Sequence, residues 1–218
     1  GSHGELKERG ALDPRRFCGF SHNQLQSYSS SHCNHEITEQ SKFSWSEVWS
    51  LTGDRRHLIP AQLIYLNYEL MSDEPKIRQT TTSGAASGST LEMALYNGLC
   101  EAVERDSLLI YWLNAITPVK ISVASLNRIG SEKIDRLLFE YQKHSIDFAL
   151  LDITTDVGVP TVLTAVKSRM STRPSLFLAP RSDLDITKEI IASLTDGLRV
   201  GYYPELFPEQ VSAFTDKM

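Results

Sequence analysis

Ser83-Gly84-Ala85-Ala86-Ser87-Gly88-Ser89-Thr90-Leu91-Glu92-Met93-Ala94-Leu95-Tyr96-Asn97-Gly98-Leu99-Cys100-Glu101-Ala102-Val103-Glu104-Arg105-Asp106 joins a loop of small residues to a run of good helix formers. Hydroxyl side chains compete for backbone hydrogen bonds and glycine keeps its freedom, so the spacing predicts a helix that starts near Ser89 or Thr90 and runs to Leu113. A glycine loop feeding a helix N-terminus leaves amide groups free and suits phosphate or another anion.

Residues of a helix advance by about 100° each, so Met93, Asn97, Glu101 and Glu104 fall within about 80° of one another on a single stripe, while Glu92 lies opposite Glu101. Leu91, Leu95, Leu99, Ala102 and Val103 cover other parts of the surface and imply a helix packed on more than one side. Two carboxylates one turn apart on an apolar helix need a cation between them or solvent around them. Mg²⁺ suits such a pair, because it keeps waters and shares phosphate oxygens. The plainer reading is a solvated helix face with Glu101 paired to Arg105.

Working outward, 21 to 42 form a polar loop rich in Ser, His, Asn and Gln. Strands are expected at Leu58 to Leu66, Lys76 to Thr82 and Val119 to Val123. Ile134, Leu137, Leu138 and Tyr141 recur at helical spacing and place a helix from Ser131 to His144. Phe148 to Ile153 and Val159 to Val166 read as antiparallel neighbours, followed by a strand at Ser175 to Leu178. A last helix runs from Asp185 to Leu198, with Ile186, Ile190, Ile191 and Leu194 inward and Gly197 near its end. The sum is an α/β fold, a mixed sheet with packed helices.

The chain has 218 residues, 41% of them hydrophobic and 22% charged, enough for one substantial core. A net charge of −5 argues against a nucleic-acid partner, and no apolar run approaches a membrane span. Three cysteines, Cys18, Cys33 and Cys100, fit a reducing compartment and a cytoplasmic protein. Cys100 reads as a small buried hydrophobe. Cys18, His22, His32, Cys33 and His35 offer zinc-ligand types without the spacing of a structural zinc site. Asp152 and Asp156 read as turn formers, and Trp45, Trp49 and Trp112 as core or interface anchors.

The loop and helix, Ser-Gly-x-Ala-x-Gly-x-Thr followed by Gly-Leu-x-Glu-x-x-Glu-Arg-Asp, resemble the second nucleotide-binding motif of the YcaO family, whose members use ATP to activate a peptide-backbone amide. Leu12-Asp13-Pro14-Arg15-Arg16-Phe17, the Trp45 segment, Leu58-Ile59-Pro60-Ala61 and 151–160 agree, so the likeness extends over 11–197. It is strongest to the azoline-forming branch. The resemblance implies ATP and Mg²⁺ as cofactors, with Glu101 and Glu104 on the metal and Ser83, Gly84, Ser89 and Arg105 on the nucleotide; it identifies no general base.

It further implies a ribosomal precursor peptide as substrate, cyclised at Cys, Ser or Thr, and a leader-peptide-recognising partner protein, with a homodimer left open. Where members carry Asn in the loop and Glu before the helix Ala, this chain has Ser89 and Met93, so weakened or lost nucleotide binding is the expectation attached to those two positions. Alternatives are a thioamide- or amidine-forming relative, or a degenerate domain that binds peptide or partner. Residues 1–10 are expected to be an expression scar and lead, with 11–218 a partial YcaO-like domain lacking the upstream half of the ATP site and a C-terminal tail, inactive alone; a natural short form is the other expectation.

Overall fold

The structure is a computed structural model and describes residues 1–17, 37–168 and 175–206. The zinc-type residues between Cys18 and His35 lie outside the described residues. The chain divides into two units, 1–82 and 83–218.

In the first unit, Ser2 and Glu5 form a reciprocal cap on the short helix α1, His3–Leu6. Strands β1, Trp45–Trp49, and β2, Arg56–Pro60, pair antiparallel with Trp45 opposite Pro60. The strand expected at Leu58 to Leu66 therefore ends at Pro60 and turns into a 3-10 segment, Ala61–Leu63. Buried Gln62 explains the change: its amide donates to Glu74 Oε1 and Pro75 O, and its carbonyl accepts from Ile77 N. Thr80 Oγ1 donates to Gln62 O. Those side-chain bonds take backbone groups a ladder would use, and no strand forms at Lys76 to Thr82. Trp49 is 55% exposed and stacks under the Arg56 guanidinium instead of anchoring a core.

The second unit is built on the sheet β3-β4-β5-β6, comprising Val119–Ile121, Ile146–Asp152, Thr161–Ser168 and Ser175–Ser182. Every pairing in it is antiparallel; the one parallel contact among the described residues is the isolated Ala11–Leu58 bridge of the first unit. Helix α2, Leu91–Leu113, starts where Thr90 Oγ1 accepts the Met93 amide. Its Leu91, Leu99, Leu109 and Trp112 are exposed, while Glu104 and Ser107 are its buried residues. The expectation of leucines packed on several sides is thus reversed.

Val123, read as a strand residue, opens helix α3, Val123–Ile129, capped by Ser122. Helix α4, Glu132–Lys143, follows as expected. Helix α5, Ile186–Leu206, runs past Gly197. Gly197 is required by a close approach: a Cβ there would overlap Tyr141 Oη and the methyls of Thr164 and Val166. Ile190 and Leu194 are buried with Tyr141, Leu150, Val162 and Val166, whereas Ile186 is 45% exposed and does not face inward.

A buried hydroxyl fixes α5 on the sheet. Ser193 Oγ accepts from Thr164 N at 3.0 Å, lies 2.6 Å from Thr164 Oγ1, and donates to Ala179 O at 2.8 Å. The second turn of α5 is thereby held against the middle of β5 and β6.

Candidate functional site

Between α2, the 85–87 loop, the end of β6 and the start of α5 lies a cleft of about 520 Å³. Of the predicted stripe, Asn97, Glu101 and Glu104 line it, and Met93 does not. Met93 is 48% exposed and backs onto Gly88. The loop reaches the helix through Gly84, whose amide donates to Glu101 Oε2 at 3.2 Å, and through Asn97, whose side chain donates to Ser87 O. Gly84 has φ +82°, a conformation glycine takes without strain. Ser83 and Ser89 are exposed and do not line the cleft.

Arg105 spans both glutamates, with Nη2 3.6 Å from Glu101 Oε1 and Nε 3.6 Å from Glu104 Oε1. Arg181, from β6, reaches Glu104 Oε2 at 3.9 Å and is hydrogen-bonded to Asp196. Arg105, Arg181 and Arg199 surround a smaller adjoining cavity of about 230 Å³. The glutamates are therefore bridged by long ion pairs that leave the cleft open.

Glu104 is 4% exposed, and burial pushes its carboxyl up to about 7 against the pull of Arg181 and Arg105. Glu189 on α5 lines the same cleft, and burial pushes it up to about 8. The Val162 amide opposes that shift without meeting hydrogen-bond geometry, and Asp152, Asp183 and Glu104 reinforce it. Tyr96 donates to Asp183 Oδ1 and accepts from Leu184 N. The Leu184 amide favours the phenolate, but burial and Asp183 outweigh it and push Tyr96 up to about 12. Cys100 lines this cleft half-buried, which corrects its reading as a core hydrophobe. Asp152 does act as a turn former, accepting from Thr154 N.

Arg181, Asp183 and Glu189 escaped the sequence reading because they come from β6, the turn after it and α5, about 90 to 105 residues beyond the glycine loop. One signal was available: Glu189, Ser193 and Gly197 repeat every four residues along the edge of the apolar face of α5. Among the described residues, no three acidic, histidine or cysteine side chains converge closely enough to hold a metal ion by themselves. No described helix is long and apolar enough to cross a membrane.

The family model described as YcaO cyclodehydratase, ATP- and Mg²⁺-binding, matches residues 1–196. The chain belongs to the YcaO family. The glycine loop and α2, with both glutamates in one cleft, fall within the matched stretch. Among solved structures, a heterocyclase in complex with substrate and cofactor is 25% identical over 90% of this chain and 27% of its own, with a TM-score of 0.75. The heterocyclase TruD is 26% identical over 90% of this chain and 29% of its own, with a TM-score of 0.72. The microcin B17-processing protein McbD of Escherichia coli is 30% identical over 52% of this chain and 28% of its length. The chain spans well under half the length of these relatives.

Proposed function

We propose that this YcaO chain is part of an enzyme that uses ATP and Mg²⁺ to activate peptide-backbone amides, cyclising Cys, Ser or Thr of a ribosomal precursor peptide to azolines. One observation carries the reading: Glu101 and Glu104, a turn apart, line one roomy cleft to which the glycine loop is tied through Gly84. The donor set suits Mg²⁺, which takes one or two carboxylates and completes its shell with water and phosphate oxygens. Glu101 and Glu104 would hold the metal. Arg105 and Arg181 would face phosphate charge, and Ser83, Gly84 and Ser89 belong to the loop beside the nucleotide.

Bound Mg²⁺–ATP supplies the phosphoryl group that turns the amide oxygen into a leaving group. The protein's part is positioning and charge neutralisation, which is what phosphoryl transfer asks of its enzyme. The likeness to McbD and to a heterocyclase bound to its substrate supports a precursor peptide and a leader-recognising partner; a homodimer is compatible. ATP use and the few cysteines suit the cytoplasm.

A second reading, a degenerate domain that binds peptide or partner, is favoured by Met93 and Ser89 standing where members of the family carry Glu and Asn. Mass analysis of a precursor peptide incubated with the protein, its partner, ATP and Mg²⁺ separates the two. Loss of one water per ring supports azoline formation. A thioamide or amidine mass shift moves the chemistry to another branch, and an unchanged peptide with retained partner binding supports the degenerate domain.

A further inference from the structure

Glu189 is 1% exposed, and neither of its carboxylate oxygens has a hydrogen-bond partner. The Val162 amide acts on it from outside hydrogen-bond geometry, and the side-chain donors around it are engaged elsewhere. On α2, Tyr96 bonds Asp183 and Asn97 bonds Ser87; at the end of β6, Arg181 is held by Asp196 and Ser182 by Thr161. On its own helix, Lys188 Nζ lies 3.8 Å from Asp185 Oδ2. A buried carboxylate without a partner is among the costliest groups a fold can carry. It shares the cleft with Glu104, a second buried acid. Glu104 has the guanidinium groups of Arg105 and Arg181 at 3.6 and 3.9 Å, whereas the oxygens of Glu189 have no partner, and a divalent cation entering the cleft supplies a countercharge for it.

We propose that Glu189 is a third acidic group of the cation site in this cleft, facing, with Glu101 and Glu104, the Mg²⁺ that enters with a nucleotide. The assignment rests on reading the cleft as a Mg²⁺–nucleotide site. Mg²⁺ gives up its waters reluctantly, so Glu189 acts on the ion through coordinated water, without the three carboxylates closing a ligand cage.

Mn²⁺ serves as the probe, its free concentration followed by electron paramagnetic resonance while protein and a non-hydrolysable ATP analogue are titrated in. Glu189→Gln is expected to weaken Mn²⁺ retention about tenfold or more, a loss specific to the metal, with binding of the metal-free analogue not weakened. Glu189→Asp keeps a buried carboxylate, draws it back by one methylene, and is expected to fall between the two. Wild-type Mn²⁺ retention in both variants overturns the assignment and makes Glu189 a protonated acid of the protein interior. If wild type itself holds no Mn²⁺ with the analogue, the nucleotide reading falls first, a result distinct from equal binding by variant and wild type.

Discussion

Gly84 donates its backbone N–H to Glu101 Oε2 at 3.2 Å, so the loop and the acidic stripe of α2 hold each other in place. The contact depends on a second glycine. A Cβ at Gly98 would stand 2.8 Å from the Gly84 carbonyl oxygen, closer than real Cβ contacts come. Gly98→Ala is therefore expected to displace the loop, costing about 1–3 kcal/mol in urea unfolding and weakening nucleotide binding by calorimetry. Unchanged affinity would mean that the loop plays no part in the site.

Gly197→Ala tests the seating of α5. The added methyl meets Tyr141, Thr164 and Val166, and a loss of about 1–3 kcal/mol is expected in denaturant unfolding, with helix content by circular dichroism unaltered. Tyr141→Phe removes only the bond from Tyr141 to Leu194 O and is expected to cost about 1 kcal/mol.

Glu189 gives stability a pH dependence of definite sign. Its carboxyl is raised from 4.5 to about 8 on folding, so the folded state binds the proton more tightly than the unfolded state. Its contribution is fully present below about pH 4.5 and is lost as pH rises through about 8. Unfolding free energies measured from pH 5 to pH 9 without metal are expected to fall by a few kcal/mol on this account, and Glu189→Gln to flatten the decline. A decline of equal slope in the variant would assign the dependence to other groups.

Much of this was legible in local pattern. The cap at Thr90, the helix over 91–113, the helix at 132–143 and the antiparallel pairing of β4 with β5 follow from propensity and periodicity, which act over a few residues. The stripe placed Asn97, Glu101 and Glu104 together, and they share a cleft. What failed was governed by distant partners. Gln62 satisfies the backbone around Ile77 from 15 residues away, and no alternation reveals it. Gly197 looked like a helix end because its neighbour Tyr141 is 56 positions distant in sequence. Helical angle put Met93 with the glutamates, but the cleft starts a turn further along, where the loop leaves the helix.

Isothermal titration of Mg²⁺–ATP into wild-type protein and into Glu104→Gln tests the central claim most directly. Glu104 is buried in the cleft and lies within reach of Arg105 and Arg181, so binding that requires Mg²⁺ and weakens about tenfold or more in the variant is the predicted result. Binding that is absent in wild type, or equally tight in Glu104→Gln, would contradict it.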